Sequence, residues 1–511
     1  MIRKRPQPKR YYQPEIECAP LSLLAAQVDQ RLADSQDLFE RAAQSPLYRE
    51  RWQQAGVQPR AIHSYQDFQS IPFSHSTDLR AAQQAHLPDA FICSPTRPRL
   101  WYCTSGSTGA PKWIPVGASD LKNNRQVYKR LAYFGDQPSR PGEVAFSITA
   151  PAPFISDTSH WRSILQDLTG DRFSDIEPVE SIVFSFETGT EGISMALKRR
   201  ITSFFAFPSL VMRIAEGISA NAGRIAESRI KERFSLPNLL AYWITRHRTI
   251  QPKHLLKVRS GIFAGEPLEP YRQALFAAWG IQKAYNLYTS SEFQVPFCEC
   301  YAQDGLHTWL DVAIPEIIPA AELEALHQDP NYEPQAIPIW QTQDGDEGEL
   351  VLTNFSETFP LIRWRTSDLV RIVSLQPCQC GRTSPRLQIL QRVDDLVNLG
   401  VIRFSIFSLQ DQLAAIRHPS PITRWQLRVA RQGYKPLLKV LVRPAGECDP
   451  ALFRQTVHQA VNQIAVIREG WQNGLIAEPV IELVPDLGDR LSSSGKFRPL
   501  VYEELEHAKA S

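Results

Sequence analysis

The sequence predicts an α/β chain in two parts: a large N-terminal α/β region and a small C-terminal α+β domain. Three observations lead there. The chain has 511 residues, more than one compact domain ordinarily holds. Up to about residue 390, short apolar runs alternate with stretches of helical period, the texture of a sheet interleaved with helices. Beyond about Arg392 the runs become strand, strand, helix, strand, which describes a separate α+β unit.

Taken in order, Leu24, Val28, Leu32, Leu38 and Phe39 recur at helical spacing between Leu21 and about Ala55. Leu100 to Cys103 is a short apolar strand that runs into a turn-rich segment. Val144 to Ile148, Ile182 to Phe186 and Ser203 to Phe207 read as buried strands. Ser209 to Gly217 and Tyr271 to Trp279 carry helical period. Pro377, Gly381 and Pro385 punctuate the chain near the expected boundary. In the C-terminal part, Val397 to Phe404, Trp425 to Val429, Leu437 to Val442 and Ile481 to Val484 read as strands, and Pro450 to Ile467 as a helix. The expected divisions are a tail over 1–20, the large domain over 21–390 and the small one over 391–511.

Composition excludes several classes. Apolar residues are 43% and charged residues 22% of the chain, ordinary for a globular protein. A core of this size needs no disulfide staples. The net charge of +2 argues against a chain-wide preference for nucleic acid or an anionic membrane. The start, Met1 to Arg10, is basic and broken by Pro6 and Pro8, and reads as a disordered, solvated tail. No apolar signal region follows it, and no apolar run approaches the ~20 residues a membrane helix needs. The expected location is the cytoplasm, with the eight cysteines reduced and any cluster among them metal-binding or catalytic.

The strongest local signal is Thr104-Ser105-Gly106-Ser107-Thr108-Gly109-Ala110-Pro111-Lys112. It follows a strand. Glycines and hydroxyl residues at this density leave backbone N–H groups free to wrap phosphate oxygens, and Lys112 adds positive charge. It is not a Walker loop, because no Gly-Lys-Ser/Thr closes it.

This segment resembles the phosphate loop of the adenylate-forming superfamily of acyl-CoA synthetases, adenylation domains and luciferases, and further resemblances follow in that superfamily's order. Tyr288-Thr289-Ser290-Ser291-Glu292 resembles its Tyr-Gly-x-Ser/Thr-Glu element. Gly348-Glu349-Leu350 followed by Arg363-Trp364-Arg365-Thr366-Ser367-Asp368 resembles its Arg-Tyr-x-Thr-Gly-Asp element. Arg392-Val393-Asp394-Asp395 resembles its hinge, and Ser494-Gly495-Lys496 the element that supplies its catalytic lysine. Within the superfamily, Gly261 to Pro267 and Cys378-Gln379-Cys380-Gly381-Arg382-Thr383-Ser384-Pro385-Arg386 resemble the phenylacetate-CoA ligases. The resemblance runs from about residue 30 to 500.

The resemblance implies an ATP- and magnesium-dependent acid–thiol ligase whose small C-terminal domain is mobile. It makes an acyl-adenylate from an aryl or bulky carboxylic acid and passes it to coenzyme A, or to a carrier-protein thiol in a biosynthetic pathway. A non-catalytic nucleotide- or acid-binding relative is the alternative of a different class. The implied partners are small molecules or a carrier protein, with no nucleic acid and no membrane, and with a homodimer as candidate assembly.

The resemblance also implies site roles. Lys496 bridges the acyl carboxylate and the α-phosphate, Glu292 helps hold magnesium, and His160 stands between the nucleotide and acyl pockets. Thr104 to Gly109 and Lys112 cradle phosphate. Gly265, Glu266 and Pro267 close over adenine. Tyr288 to Ser291 meet the nucleotide, Asp368 binds the ribose hydroxyls, and Arg386 and Arg392 complete the nucleotide contacts. Phe207, Pro208 and Ser209 line the acyl pocket. Cys300, His307, Cys378 and Cys380 form a structural zinc site, with Cys298 as spare; thiolates and an imidazole suit a tetrahedral zinc. The sequence departs from the pattern at Gln391, where a glycine is usual, at Ser367, also usually glycine, and between Asp395 and Gly400, one residue short. The stretch from about 223 to 251 is extra, and reads as a packed surface helix or a cover over the acyl site.

Overall fold

The computed structural model describes residues 10–85, 91–103, 112–131, 133–135, 144–149, 180–185, 199–265 except 233, 268–392 except 330, 396–399, 403–485 except 433 and 434, 487, and 499–503. The chain forms two compact units: residues 1–366 with 370–389, and residues 367–369 with 390–511.

The first unit is organised by one long mixed sheet. Its parallel part is built from β3 (Val144–Thr149), β4 (Glu180–Ser185), β5 (Ser203–Ala206), β6 (Ser260–Ala264) and β7 (Lys283–Tyr288), side by side in the order β4-β3-β5-β6-β7. These are short apolar runs because helices cover them. The helices Pro208–Glu232 and Arg272–Trp279 supply that cover. Phe146, Phe204 and Phe263 meet Val211, Leu275 and Trp279 in one buried cluster, and the Trp279 indole donates to the Val211 carbonyl at 3.1 Å.

From β7 onward the sheet turns antiparallel through β8 (Phe297–Glu299), β9 (Leu306–His307), β14 (Arg386–Arg392), β13 (Trp364–Ser374), β12 (Glu347–Asn354), β10 (Ala313–Pro319) and β11 (Ile337–Pro338). A separate antiparallel pair, β1 (Leu100–Cys103) with β2 (Trp113–Val116), flanks the phosphate-loop sequence.

The second unit holds the pair β15 (Leu396–Asn398) and β16 (Arg403–Ser405). It also holds a four-stranded sheet ordered β19-β18-β17-β20, of β17 (Ile422–Gln432), β18 (Lys435–Pro444), β19 (Val480–Leu483) and β20 (Leu500–Tyr502). Leu409, Leu427, Leu438, Val440, Phe453, Val457 and Ile467 form its core.

Three expectations need correction. The disordered tail does not reach residue 20. From Arg10 the chain is docked, because the fully buried Glu17 carboxylate is held by the equally buried Arg382 guanidinium at 2.8 Å. The single strand expected over Val397 to Phe404 is two short antiparallel strands. The helix expected from Pro450 to Ile467 stops at Val461, and a second begins at Ala465.

Candidate active site and metal knuckle

In an open sheet with parallel strands, ligands bind where the strands end at their carboxyl edge. Three predicted segments leave that edge from neighbouring strands. Phe207 and Pro208 follow β5, Gly265 follows β6, and Thr289 to Glu292 follow β7. Phe207 is buried, and Pro208 opens the helix Pro208–Glu232, a position proline suits. Gly265 takes a left-handed φ of 79°.

The turn after β7 is held by its own hydroxyls. Thr289 Oγ1 donates to the Phe293 carbonyl at 3.0 Å, and the Phe293 N–H donates to Ser290 Oγ at 2.9 Å. That turn presents Glu292, whose carboxylate forms an ion pair with the Lys112 ammonium. Both side chains are nearly buried, and the ammonium also lies 5.7 Å from the centre of the Trp364 ring. Sequence reasoning missed Trp364 as the third member of this group. Its place in the Arg-Trp-Arg-Thr run was the available signal.

The segment leading into β13 is pinned from two sides. Arg363 pairs with Glu316 at 3.0 Å and donates to the carbonyls of Gln69 and Ile71 at 2.6 and 2.7 Å. Arg365 makes a two-pronged contact with Glu349. Asp368 lies on β13 and is nearly buried. Arg386, named from sequence as a nucleotide contact, is engaged within the protein. Its guanidinium pairs with Asp304 and reaches the carbonyls of Asp304 and Gln376, on the strand opposite His307. Thr104 to Pro111, His160, Glu266, Pro267, Val393 to Asp395, Lys496, and the side chains of Ser209 and Arg392 lie outside the described residues.

The sulfur and imidazole ligands predicted from sequence converge. Donor atoms of Cys300, His307, Cys378 and Cys380 all lie within 4.8 Å of one another, and all four residues are buried. Cys300 Sγ is 3.6 Å from Cys378 Sγ, and Cys380 Sγ is 3.6 Å from His307 Nε2. A tetrahedron with metal–sulfur bonds of about 2.3 Å and a metal–nitrogen bond of about 2.0 Å has edges of roughly 3.5–3.8 Å, so these two separations fit zinc.

The surroundings fit as well. His307 Nδ1 is 3.0 Å from Ser384 Oγ, which leaves Nε2 toward the thiolates, and burial pushes the imidazole below its ordinary pKa, favouring the neutral, ligating form. The Cys380 and Arg382 N–H groups point at the Cys378 and Cys380 sulfurs, each at 3.5 Å. Cys298 stands opposite His307 across β8 and β9 but turns its thiol to the Glu299 carbonyl at 3.4 Å. Burial pushes that thiol well above its ordinary pKa, so it behaves as a neutral core residue.

A large sheet-bearing unit with motif segments at its carboxyl edge, and a smaller α+β unit, make up the fold of adenylate-forming enzymes. The chain superposes on 2-hydroxyisobutyryl-CoA ligase in complex with an acyl-AMP with a TM-score of 0.70 and 20% identity, covering 99% of this chain and 95% of that one. An acyl acid amido synthetase gives 0.70 at 16% identity, covering 99% and 97%. In sequence the chain is similar to phenylacetate-coenzyme A ligases. The Thermus thermophilus protein is 26% identical over 435 residues, 83% of this chain and 82% of its own length. The Pseudomonas putida protein is 25% identical over 79% of this chain and 78% of its own. The Aromatoleum evansii protein is 34% identical over a shorter stretch, 37% of this chain and 39% of its own. No family model matches the chain.

Proposed function

We propose that the protein joins a carboxylic acid to coenzyme A at the expense of ATP. In the first step a carboxylate oxygen attacks the α-phosphorus, the bond to the β-phosphate breaks, and pyrophosphate leaves. In the second the coenzyme A thiol gives up its proton, its sulfur attacks the acyl carbon, and AMP leaves. Charge accumulates on phosphoryl oxygens in the first step, so positioning and fixed positive charge carry the catalysis.

One observation supports this reading above the rest. Acyl-pocket, adenine and nucleotide segments leave three neighbouring parallel strands at one edge, and the last of them meets the lysine that closes the phosphate loop. Lys112 holds phosphate, and Glu292 binds the magnesium that accompanies ATP. In the ion pair each side chain neutralises the other; with ATP and magnesium bound, Lys112 would hold phosphate and Glu292 the metal, so neither nearly buried charge would be left alone. Asp368 binds the ribose, Lys496 bridges the reacting oxygens, and Cys300, His307, Cys378 and Cys380 hold a structural zinc.

Acid-dependent exchange of labelled pyrophosphate into ATP, across aryl, hydroxyaryl, fatty and amino acids without thiol, tests the first step. Exchange with one class names the acid. Coenzyme A added next should give a thioester. Thioester formation only on a carrier protein would replace coenzyme A as acceptor, and silence across a widened panel by folded, ATP-binding protein would sink the reading.

A further inference from the structure

The helix Leu236–His247 is built inside out. Ser235 caps it, accepting the Asn238 N–H at 3.4 Å. Leu236, Leu239, Leu240 and Trp243 follow at i, i+3, i+4 and i+7, the spacing of a face that a globular protein turns inward. Here these residues are 78%, 42%, 58% and 60% exposed, and Phe234 just before them is 74% exposed. The half-buried positions of the helix are Asn238, Tyr242 and Thr245, on the opposite side, with Ile244 on the flank between, and the helix lies against the helix Pro208–Glu232. Single exposed leucines are ordinary, but a contiguous stripe of this size marks an interaction surface.

Charge identifies what the stripe meets. No aspartate or glutamate occurs between Phe234 and Arg259, while Arg246, Arg248, Lys253 and Lys257 are exposed there, with Leu255 among them. Glu227 of the preceding helix is already paired with Lys231 at 2.8 Å. The chain-wide balance of +2 averages this local asymmetry away. A second copy of the chain would set cations against cations. A protein partner would need an acidic patch matched to it, whereas an anionic bilayer offers that charge over its whole surface. An exposed stripe of leucine and tryptophan followed in the chain by exposed arginine and lysine matches an interfacial helix, whose apolar side enters the headgroup boundary while its cations face anionic lipid.

We propose that the helix Leu236–His247, with the basic stretch that follows, docks this protein on an anionic lipid surface. It lies on the bilayer without crossing it: no helix among the described residues is long and apolar enough to span. Nothing in this surface depends on the acyl chemistry.

The test is sedimentation of the full chain with vesicles of phosphatidylcholine alone, or with about a third of phosphatidylglycerol. The protein should sediment with the anionic vesicles only, and leave them as salt is raised. Leu240→Asp with Trp243→Asp should weaken binding by more than about tenfold, because burying one leucine alone is worth at least that. Arg246→Glu with Arg248→Glu should do the same from the charge side. Unchanged circular dichroism and thermal midpoint show that the variants fold. Wild-type protein left in the supernatant, equal binding by folded variants, or a stable oligomer that the apolar substitutions dissolve would each overturn the proposal. So would capture of an acidic protein in place of anionic vesicles.

Discussion

Ser367 shows what a single residue can hide. It stands where relatives carry glycine, and its φ is 60°, a left-handed conformation that costs a side-chain-bearing residue about 1–2 kcal/mol. Ser367→Gly should relieve part of that, raising the thermal midpoint in a calorimetric scan; a lowered midpoint would show that the hydroxyl's contacts outweigh the backbone cost. Glu17 is the opposite case, a charge that cannot be removed alone. Its carboxylate accepts from Arg382 at 2.8 Å and from the N–H groups of Tyr12 and Gln13 at 2.9 and 2.8 Å. Glu17→Ala leaves a buried guanidinium uncompensated and should cost about 3–5 kcal/mol, read from urea unfolding. The sequence offered no hint of this pair, because Glu17 lies in a stretch whose basic beginning looks solvated, and its partner is 365 positions away. The motif residues were legible because phosphate binding restricts which residue types serve. The Lys112–Glu292 contact was not, since spacing along a chain does not say which loops meet.

At the scale of elements, the knuckle and the docked N-terminal segment form one assembly. Tyr11 donates its hydroxyl to the Cys380 carbonyl at 2.7 Å, and Arg10 reaches the Tyr301 hydroxyl at 2.7 Å. Gly381 has a φ of 88°, and a Cβ there would lie 2.1 Å from the Tyr11 hydroxyl, so the turn after Cys380 is shaped by the docked N-terminal segment. One zinc per chain is the expected elemental analysis. Stripping it with a chelator should speed hydrogen exchange over residues 10–19 along with the knuckle; release of metal with that segment still protected would separate the two. The parallel strands were readable because burial keeps them nearly continuous apolar runs, as in Phe204-Phe205-Ala206. The antiparallel strands were not: β8 and β9 span three and two residues, and β13 is interrupted by the polar run Arg365 to Asp368. Helical period likewise showed that Leu236, Leu239, Leu240 and Trp243 share a face, but period cannot say whether anything covers it.

For the whole molecule, the two half-reactions divide the prediction. Lys496→Ala should abolish pyrophosphate exchange while leaving thioester formation from a supplied acyl-adenylate within a few fold. Normal exchange by the variant would remove the lysine from the chemistry. Conversely, Glu292→Gln should depress exchange by about a hundredfold or more and raise the magnesium requirement. An unchanged magnesium dependence would free Glu292 from the metal. The two-part architecture was legible because the rhythm of strand and helix runs changes near Arg392. Less legible was that Ser367–Leu369 fall with the second unit while the residues on either side fall with the first, since contiguous sequence need not belong to one body.

The Glu17–Arg382 pair also sets a clock for synthesis. At ~5–20 residues per second, the 365 positions between the partners mean that the carboxylate waits on the order of 20–70 s after leaving the ribosome before its counter-ion is even made. During that interval the segment from Arg10 to Ala19 has its contacts with Gln126 and Arg130 but none with the Cys378–Arg382 turn, and Cys300 and His307, once made, still lack Cys378 and Cys380 beside them. The first unit therefore closes late, when nearly three-quarters of the chain has emerged. A nascent chain halted short of Arg382 should remain open to protease at its N-terminal end, and one halted beyond the knuckle, with zinc supplied, should not.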